Sequence, residues 1–167
     1  MAKKTWDEFT NLPIAKQLNP GSSPAARARR AIELLLSGRN GADAVLCAFY
    51  PGFRGGAALG PKCGLEDGHG TDKAVCGAFA AAMFAVGLVG SPQSANIALW
   101  NHQNIRKLAG MLSSFETTFG TCLCRGLLGG LDLSTADGRE AYLRDNLRSS
   151  KCTRFVKTAV QSIEQLL

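Results

Sequence analysis

The sequence predicts an all-α protein: a compact single-domain helical bundle of about six helices with a long Gly-rich loop. Three observations predict it. Apolar residues recur at i, i+3 and i+4 in several long windows, and no segment alternates with period two for long enough to make a convincing strand. Clusters of Gly, Pro, Ser and Asn separate the windows. A chain of 167 residues is also the size of one domain and long enough to bury a core. No internal repeat or low-complexity tract interrupts it.

In chain order, residues 1–22 read as an N-terminal extension and residues 23–167 as the helical domain. Trp6, Phe9, Leu12 and Ile14 suit a short helix laid on the body, broken at Asn19-Pro20-Gly21-Ser22-Ser23-Pro24. Ser23 as N-cap and Pro24 at the first helical position open a helix over 24–37. It places Ala28, Ile32, Leu35 and Leu36 on one face and Arg27, Arg29 and Arg30 on its solvated side. Gly38-Arg39-Asn40-Gly41 stops that helix, and a second follows over 42–50 with Val45, Leu46, Cys47 and Phe49. Pro51 ends it.

Residues 52–71 form the Gly-rich loop, which holds Cys63 and His69. A loop of that length inside a compact domain is usually functional or disordered. Next comes an apolar helix over 72–90, capped by Thr71 or Asp72, with Cys76 one turn in. Its Ala, Met, Phe and Leu content favours helix, and an apolar surface all round means burial. Gly90-Ser91-Pro92 closes it. A long amphipathic helix over 94–119 carries Ile105, Leu108, Ala109, Leu112, Phe115 and Phe119 at helical spacing. After Thr121-Cys122-Leu123-Cys124-Arg125, Ser134 opens a polar helix through Leu143. The last helix starts near Ser150 and lines up Cys152, Val156, Ala159, Val160, Ile163 and Leu166.

A net charge of +6 favours solubility and an acidic partner but is too small an excess to argue for nucleic acid. The basic start Met1-Ala2-Lys3-Lys4 has no apolar run behind it, so the expected compartment is the cytoplasm. The apolar stretch after Lys73 falls short of the roughly 18–20 residues of a membrane span. Neither a membrane nor nucleic acid is expected as a partner.

Six cysteines are more than an inert core needs, and in a reducing compartment clustered thiols serve metal binding or redox chemistry. No C-x-x-C pair is present, so the spacing fits neither a zinc finger nor a haem attachment site, and the ferredoxin run is missing too. Ligands would have to converge from separate helices. Cys76 and Cys152 each begin a predicted helix and Cys124 lies in the turn ending another; exposed helix-end N–H groups there would favour thiolates. Each of the three is as readable as a plain core side chain as it is as a ligand or redox group. Cys122 and Cys124 point the same way if the segment is extended. Cys47 sits on an apolar helix and suits the core. Cys63, beside Lys62, suits an exposed reactive or resolving thiol. His69 and His102 read as solvated residues rather than as a catalytic dyad, and no G-x-S-x-G, P-loop or dinucleotide fingerprint occurs.

The chain resembles the C_GCAxxG_C_C family, whose members are described as redox-active. The motif region is Cys76-Gly77-Ala78-Phe79-Ala80-Ala81, preceded by the Gly-rich Phe53-Arg54-Gly55-Gly56. The third family cysteine resembles Cys124, the fourth Cys152, and the likeness runs over about residues 24–167. Two positions depart from the pattern: Ala81 replaces the final Gly of the motif, and Gly41 stands after Asn40 where the first cysteine belongs. The resemblance implies electron transfer or redox sensing through a cysteine-ligated iron–sulfur cluster. Cys76, Cys124 and Cys152 would be ligands, with Cys63 as the replacement fourth and Cys122 as its alternative. Cys47, six positions past Gly41, is a poor geometric substitute. A further likeness to part of split-Soret cytochromes c carries no haem, because the attachment motif is missing. The partner implied is an electron-transfer or thiol protein, and a homo-oligomer is compatible with it. No particular reaction is implied, so the resemblance does not make the protein an enzyme. Two rival readings remain. In the first, a metal-free thiol/disulfide protein, Cys76 attacks and Cys124 or Cys63 resolves. The second is a binding or scaffold protein that has lost the family site.

Overall fold

The computed structural model describes residues 23–50, 75–89 and 97–166. The extension, the Gly-rich loop with Cys63 and His69, and the expected caps Thr71 and Asp72 lie outside these. Among the described residues there are seven α-helices and one π-turn: α1 Pro24–Leu36, α2 Gly41–Phe49, α3 Gly77–Val89, α4 Ile97–Phe119, α5 Cys124–Leu127, α6 Ala136–Arg144, the π-turn Arg148–Cys152 and α7 Thr153–Glu164. The one extended pairing among them is an isolated antiparallel bridge between Val75 and Leu123. The all-α expectation is borne out.

Local chemistry sets the helix ends. The Ser23 hydroxyl accepts from the Ala26 N–H and Pro24 occupies the first turn, so α1 starts where expected. Asn40 Oδ1 accepts from the Asp43 N–H at 2.7 Å, which starts α2 at Gly41. Gly38, at φ +104°, turns the chain between the two helices.

α3 is the central element. It packs against α2, α7 and α4, while α1 closes over α2 and α7. Ala78, Phe79, Ala81, Ala82, Ala85 and Val86 are all buried on α3, as an apolar surface all round requires. Ala81, in place of the motif glycine, is fully buried and keeps the packing close. Phe79, Phe115, Phe119 and Phe155 form a run of ring contacts at 4.7–5.0 Å between centroids, tying α3, α4 and α7 together.

Several expected faces are corrected. Arg27 is not on the solvated side: it is buried between α1 and α7, where it pairs with Glu164 and lies over the Phe49 ring at 5.4 Å. The buried strip of α1 is Ala28, Ala31, Leu34 and Leu35, whereas Leu36, about 100° further round, is 52% exposed. On α4 the seam is Asn104, Met111 and Phe115 with half-buried Leu108, Leu112 and Phe119; Ile105 is 66% exposed and Ala109 is exposed. Among the described residues α4 has one main neighbour, α3, which covers a narrow strip of it. The polar helix begins at Ala136, because Thr135 rather than Ser134 caps it.

Candidate functional site

The bridge between Val75 and Leu123 builds the site. It holds residues 75–76 extended, and the Cys76 N–H donates to the Cys122 carbonyl at 2.8 Å. That N–H therefore serves the bridge rather than a preceding helical turn. α3 accordingly starts at Gly77, not near Asp72, and Cys76 stands at its cap rather than one turn inside. The Cys76 carbonyl accepts the first helical bond, from the Ala80 N–H at 2.9 Å, and the amides of Ala78 and Phe79 donate to its sulfur.

On the other side of the bridge, Leu123 is extended and Cys124 opens α5 instead of lying in a helix-ending turn. Thr121 Oγ1 accepts from the Leu123 N–H at 3.1 Å, fixing the bend between Cys122 and Cys124. Cys152 ends the π-turn and leads into α7, and its sulfur stands 3.6 Å from the Tyr142 hydroxyl. The π-turn runs directly into α7 and sets Cys152 at that helix's N-terminal end; such turns are common at functional sites.

Cys76, Cys124 and Cys152 thus reach one cavity of about 50 Å³, which Gly41, Gly77, Ala78, Tyr142, Arg39, Arg148 and Phe155 also line. The three thiols that the sequence singled out come together from elements far apart in the chain. Gly41, where the resemblance would put the first family cysteine, lines the same cavity. A Cβ at Gly41 would stand 3.2 Å from the Ala78 nitrogen and 3.4 Å from the Ala78 Cβ. The helix starts of α2 and α3 approach closely there, where a thiol-bearing residue would hold them apart.

The other cysteines stand elsewhere. Cys47 is half-buried on α2, with an Arg39 N–H donating toward its sulfur at 3.8 Å, and it does not line the cavity. Cys122 also lies off the cavity lining, and burial and then the neighbouring Glu116 carboxylate push its thiol up. None of the five described cysteines is in a disulfide. Among the described residues, no three His, Cys, Asp or Glu side chains form a set that would hold one metal ion.

The electrostatics of Cys76 correct the sequence expectation. Two amides do favour its thiolate, but burial outweighs them and pushes the thiol up to about 11 from an ordinary 9.0. A thiol that remains protonated to that point is a poor attacking group at neutral pH, which removes the support for Cys76 as the nucleophile of a metal-free exchange. A pH dependence follows. Between pH 9 and 11 the unfolded chain releases this proton while the folded chain keeps it, so folding stability declines as pH rises through that window. The full effect is about 2.7 kcal/mol for two pKa units. Tyr50, raised to about 12 from 10.0 by burial, begins to contribute in the same direction above pH 10. Urea midpoints of metal-free wild type and Cys76→Ala at pH 8 and pH 11 isolate the cysteine: the wild type should lose more stability. Equal losses would show that the thiol titrates normally.

Fold and site together define a helical protein with three thiols gathered at the mouth of its central helix. The family described as "Putative redox-active protein (C_GCAxxG_C_C)" matches residues 40–166. The chain belongs to this family. The match begins at Asn40, later than the resemblance implied, although α1 packs into the same core. No curated protein and no solved structure matches the chain. No helix among the described residues is long and apolar enough to cross a membrane.

Proposed function

We propose that the protein works in electron transfer or redox sensing, with Cys76, Cys124 and Cys152 as one redox centre. The observation that carries this reading is the convergence of these three cysteines on a single cavity. Family membership supports the redox character.

An iron–sulfur cluster is the cofactor whose demands these residues meet in kind. A single ion draws all its thiolates to about 2.3 Å from one point. A cluster distributes its four cysteines over several irons, so thiols ringing a cavity suit it better. The donors are incomplete in number, since Gly41 supplies none. The fourth is proposed to be Cys63, with Cys122 as the alternative, two positions from Cys124 and close enough for its charge to act on Cys76. The present cavity has room for only a few waters, so its walls must part to admit a cluster. When bound, such a group would supply one-electron redox chemistry. The chain's own part is to bury the thiols and to present the Ala78 and Phe79 amides to the Cys76 sulfur, where they stabilise negative charge. The partner is an electron-transfer or thiol protein.

Anaerobic purification and reconstitution with iron and sulfide test the reading. The wild type should be brown and carry iron and acid-labile sulfide. Cys76→Ser, Cys124→Ser and Cys152→Ser should each lose most of the iron, and Cys47→Ser should keep it. Colourless, iron-free wild type after reconstitution would overturn the cluster. If mild oxidation then also left the thiol count unchanged, the redox role would fall and a binding or scaffold protein would be left.

A further inference from the structure

We infer that the thiol cavity is a binding site for a small anion, a carboxylate or oxyanion able to reach a thiol, with Arg39 and Arg148 selecting for negative charge. This deepens the proposed site and rests on the reading of the three thiols as one centre, but not on any cofactor. The lining of the cavity carries the charge. Its charged side chains are Arg39 and Arg148; among the described residues no carboxylate lines the cavity. Neither arginine makes an ion pair among the described residues. Four other arginines, Arg27, Arg30, Arg125 and Arg144, do pair with acids.

Arg148 is held in place by two backbone carbonyls: one of its terminal N–H groups donates to Leu35 at 3.1 Å and to Arg39 at 2.9 Å. These bonds dock it on the end of α1, and among the described residues its charge has no carboxylate counter-ion. Arg39 follows the Gly38 turn and donates toward the Cys47 sulfur. With the Tyr142 hydroxyl and three thiols as the remaining polar groups, the described lining is net positive and has an apolar wall of Leu35, Leu128, Leu133, Phe155 and Val156. Arg148 is half-buried, and partial desolvation strengthens its field beyond its value in water, while Arg39 adds charge from the exposed rim. An anion entering there gains charge compensation that a neutral ligand of the same size does not.

Paired alkylating reagents read this charge without a cofactor. Iodoacetate is anionic and iodoacetamide neutral. With either, a thiolate sulfur attacks the methylene carbon, a C–S bond forms, the C–I bond breaks and iodide leaves. Both require the thiolate, so the ratio of their rates cancels the thiol's own ionisation. Mass spectrometry gives the ratio at each cysteine of the metal-free protein. It is taken at Cys124 and Cys152, since Cys76 is too buried to react well, and Cys122 beside Glu116 is the internal comparison. The iodoacetate preference should be higher at Cys124 and Cys152 than in the urea-unfolded chain. It should fall roughly three- to tenfold in Arg148→Gln and in Arg39→Gln. Arg148→Lys should keep it, which separates charge from the docking of α1, and Arg39→Gln serves if Arg148→Gln does not fold. Ratios equal to those of the unfolded chain, or unchanged in both glutamine variants, would overturn the inference. An iron-free protein that keeps the preference leaves the anion site standing while the cluster falls. Iron-binding protein without the preference does the reverse.

Discussion

Arg27→Ala should destabilise the fold by about 3–5 kcal/mol, the cost of leaving a buried partner charge uncompensated. The pair it removes is nearly enclosed: the side chains of Arg27 and Glu164 are 10% and 12% exposed. The geometry is bidentate, with Nε on one carboxylate oxygen and Nη2 on the other at 3.1 Å. The guanidinium also covers the Phe49 ring, so α1, α2 and α7 lose a shared contact together. Truncation leaves the Glu164 carboxylate, largely shielded from water, without its bidentate partner. The double variant Arg27→Met with Glu164→Leu should be clearly more stable than Arg27→Ala, because it removes both charges and keeps the volume. Urea midpoints at constant slope measure all three. A loss below about 1 kcal/mol for Arg27→Ala would mean the pair behaves as a solvated surface one.

Gly138→Ala is expected to have the second largest effect, and it reaches the site. Gly138 lies in the first turn of α6, directly over a tight capping turn. Thr135 Oγ1 accepts from the Gly138 N–H at 3.0 Å and donates to the Asp132 carbonyl at 2.9 Å, while Asp132 Oδ1 accepts from Ser134. A Cβ at position 138 would stand 1.7 Å from the Asp132 oxygen and 2.6 Å from its carbonyl carbon. Both atoms are backbone and cannot rotate away, so the helix start must move. Overpacking typically costs about 1–3 kcal/mol, and this case belongs at or above the top of that range. One turn on, Tyr142 holds its hydroxyl 3.6 Å from the Cys152 sulfur. Displacing α6 should therefore also change the alkylation rate of Cys152. Gly110→Ala is the control: nothing stands within 4 Å of its Cβ, so it should stabilise α4 by about 0.5–1 kcal/mol through helix propensity alone. If both alanine variants melted alike, the close approach at Asp132 would be disproved.

Much of the fold was legible because its signals are local. Ser23-Pro24 and Asn40 name their helix starts through side-chain caps, and the all-round apolar character of residues 77–86 marks the buried helix. The misread faces share a cause. Periodicity says that a helix has an apolar side but not how wide a strip its neighbours cover. Ile105 and Leu36 fit the pattern and are exposed, and Arg27 breaks it and is buried because Glu164 lies opposite. The start of α3 was missed because it depends on a single bridge between residues nearly fifty positions apart, and one bridge has no sequence period.

The sequence by itself determined the helical class, the family, and Cys76, Cys124 and Cys152 as the residues to watch, since residue type and spacing are written along the chain. Tertiary structure alone decided that these thiols share a cavity with Gly41 and with two arginines that have no acidic partner among the described residues. It also decided that burial outweighs the helix-end amides at Cys76. Convergence and desolvation both depend on which distant atoms surround a group, and that is fixed only when α2, α3, α5 and α7 pack together.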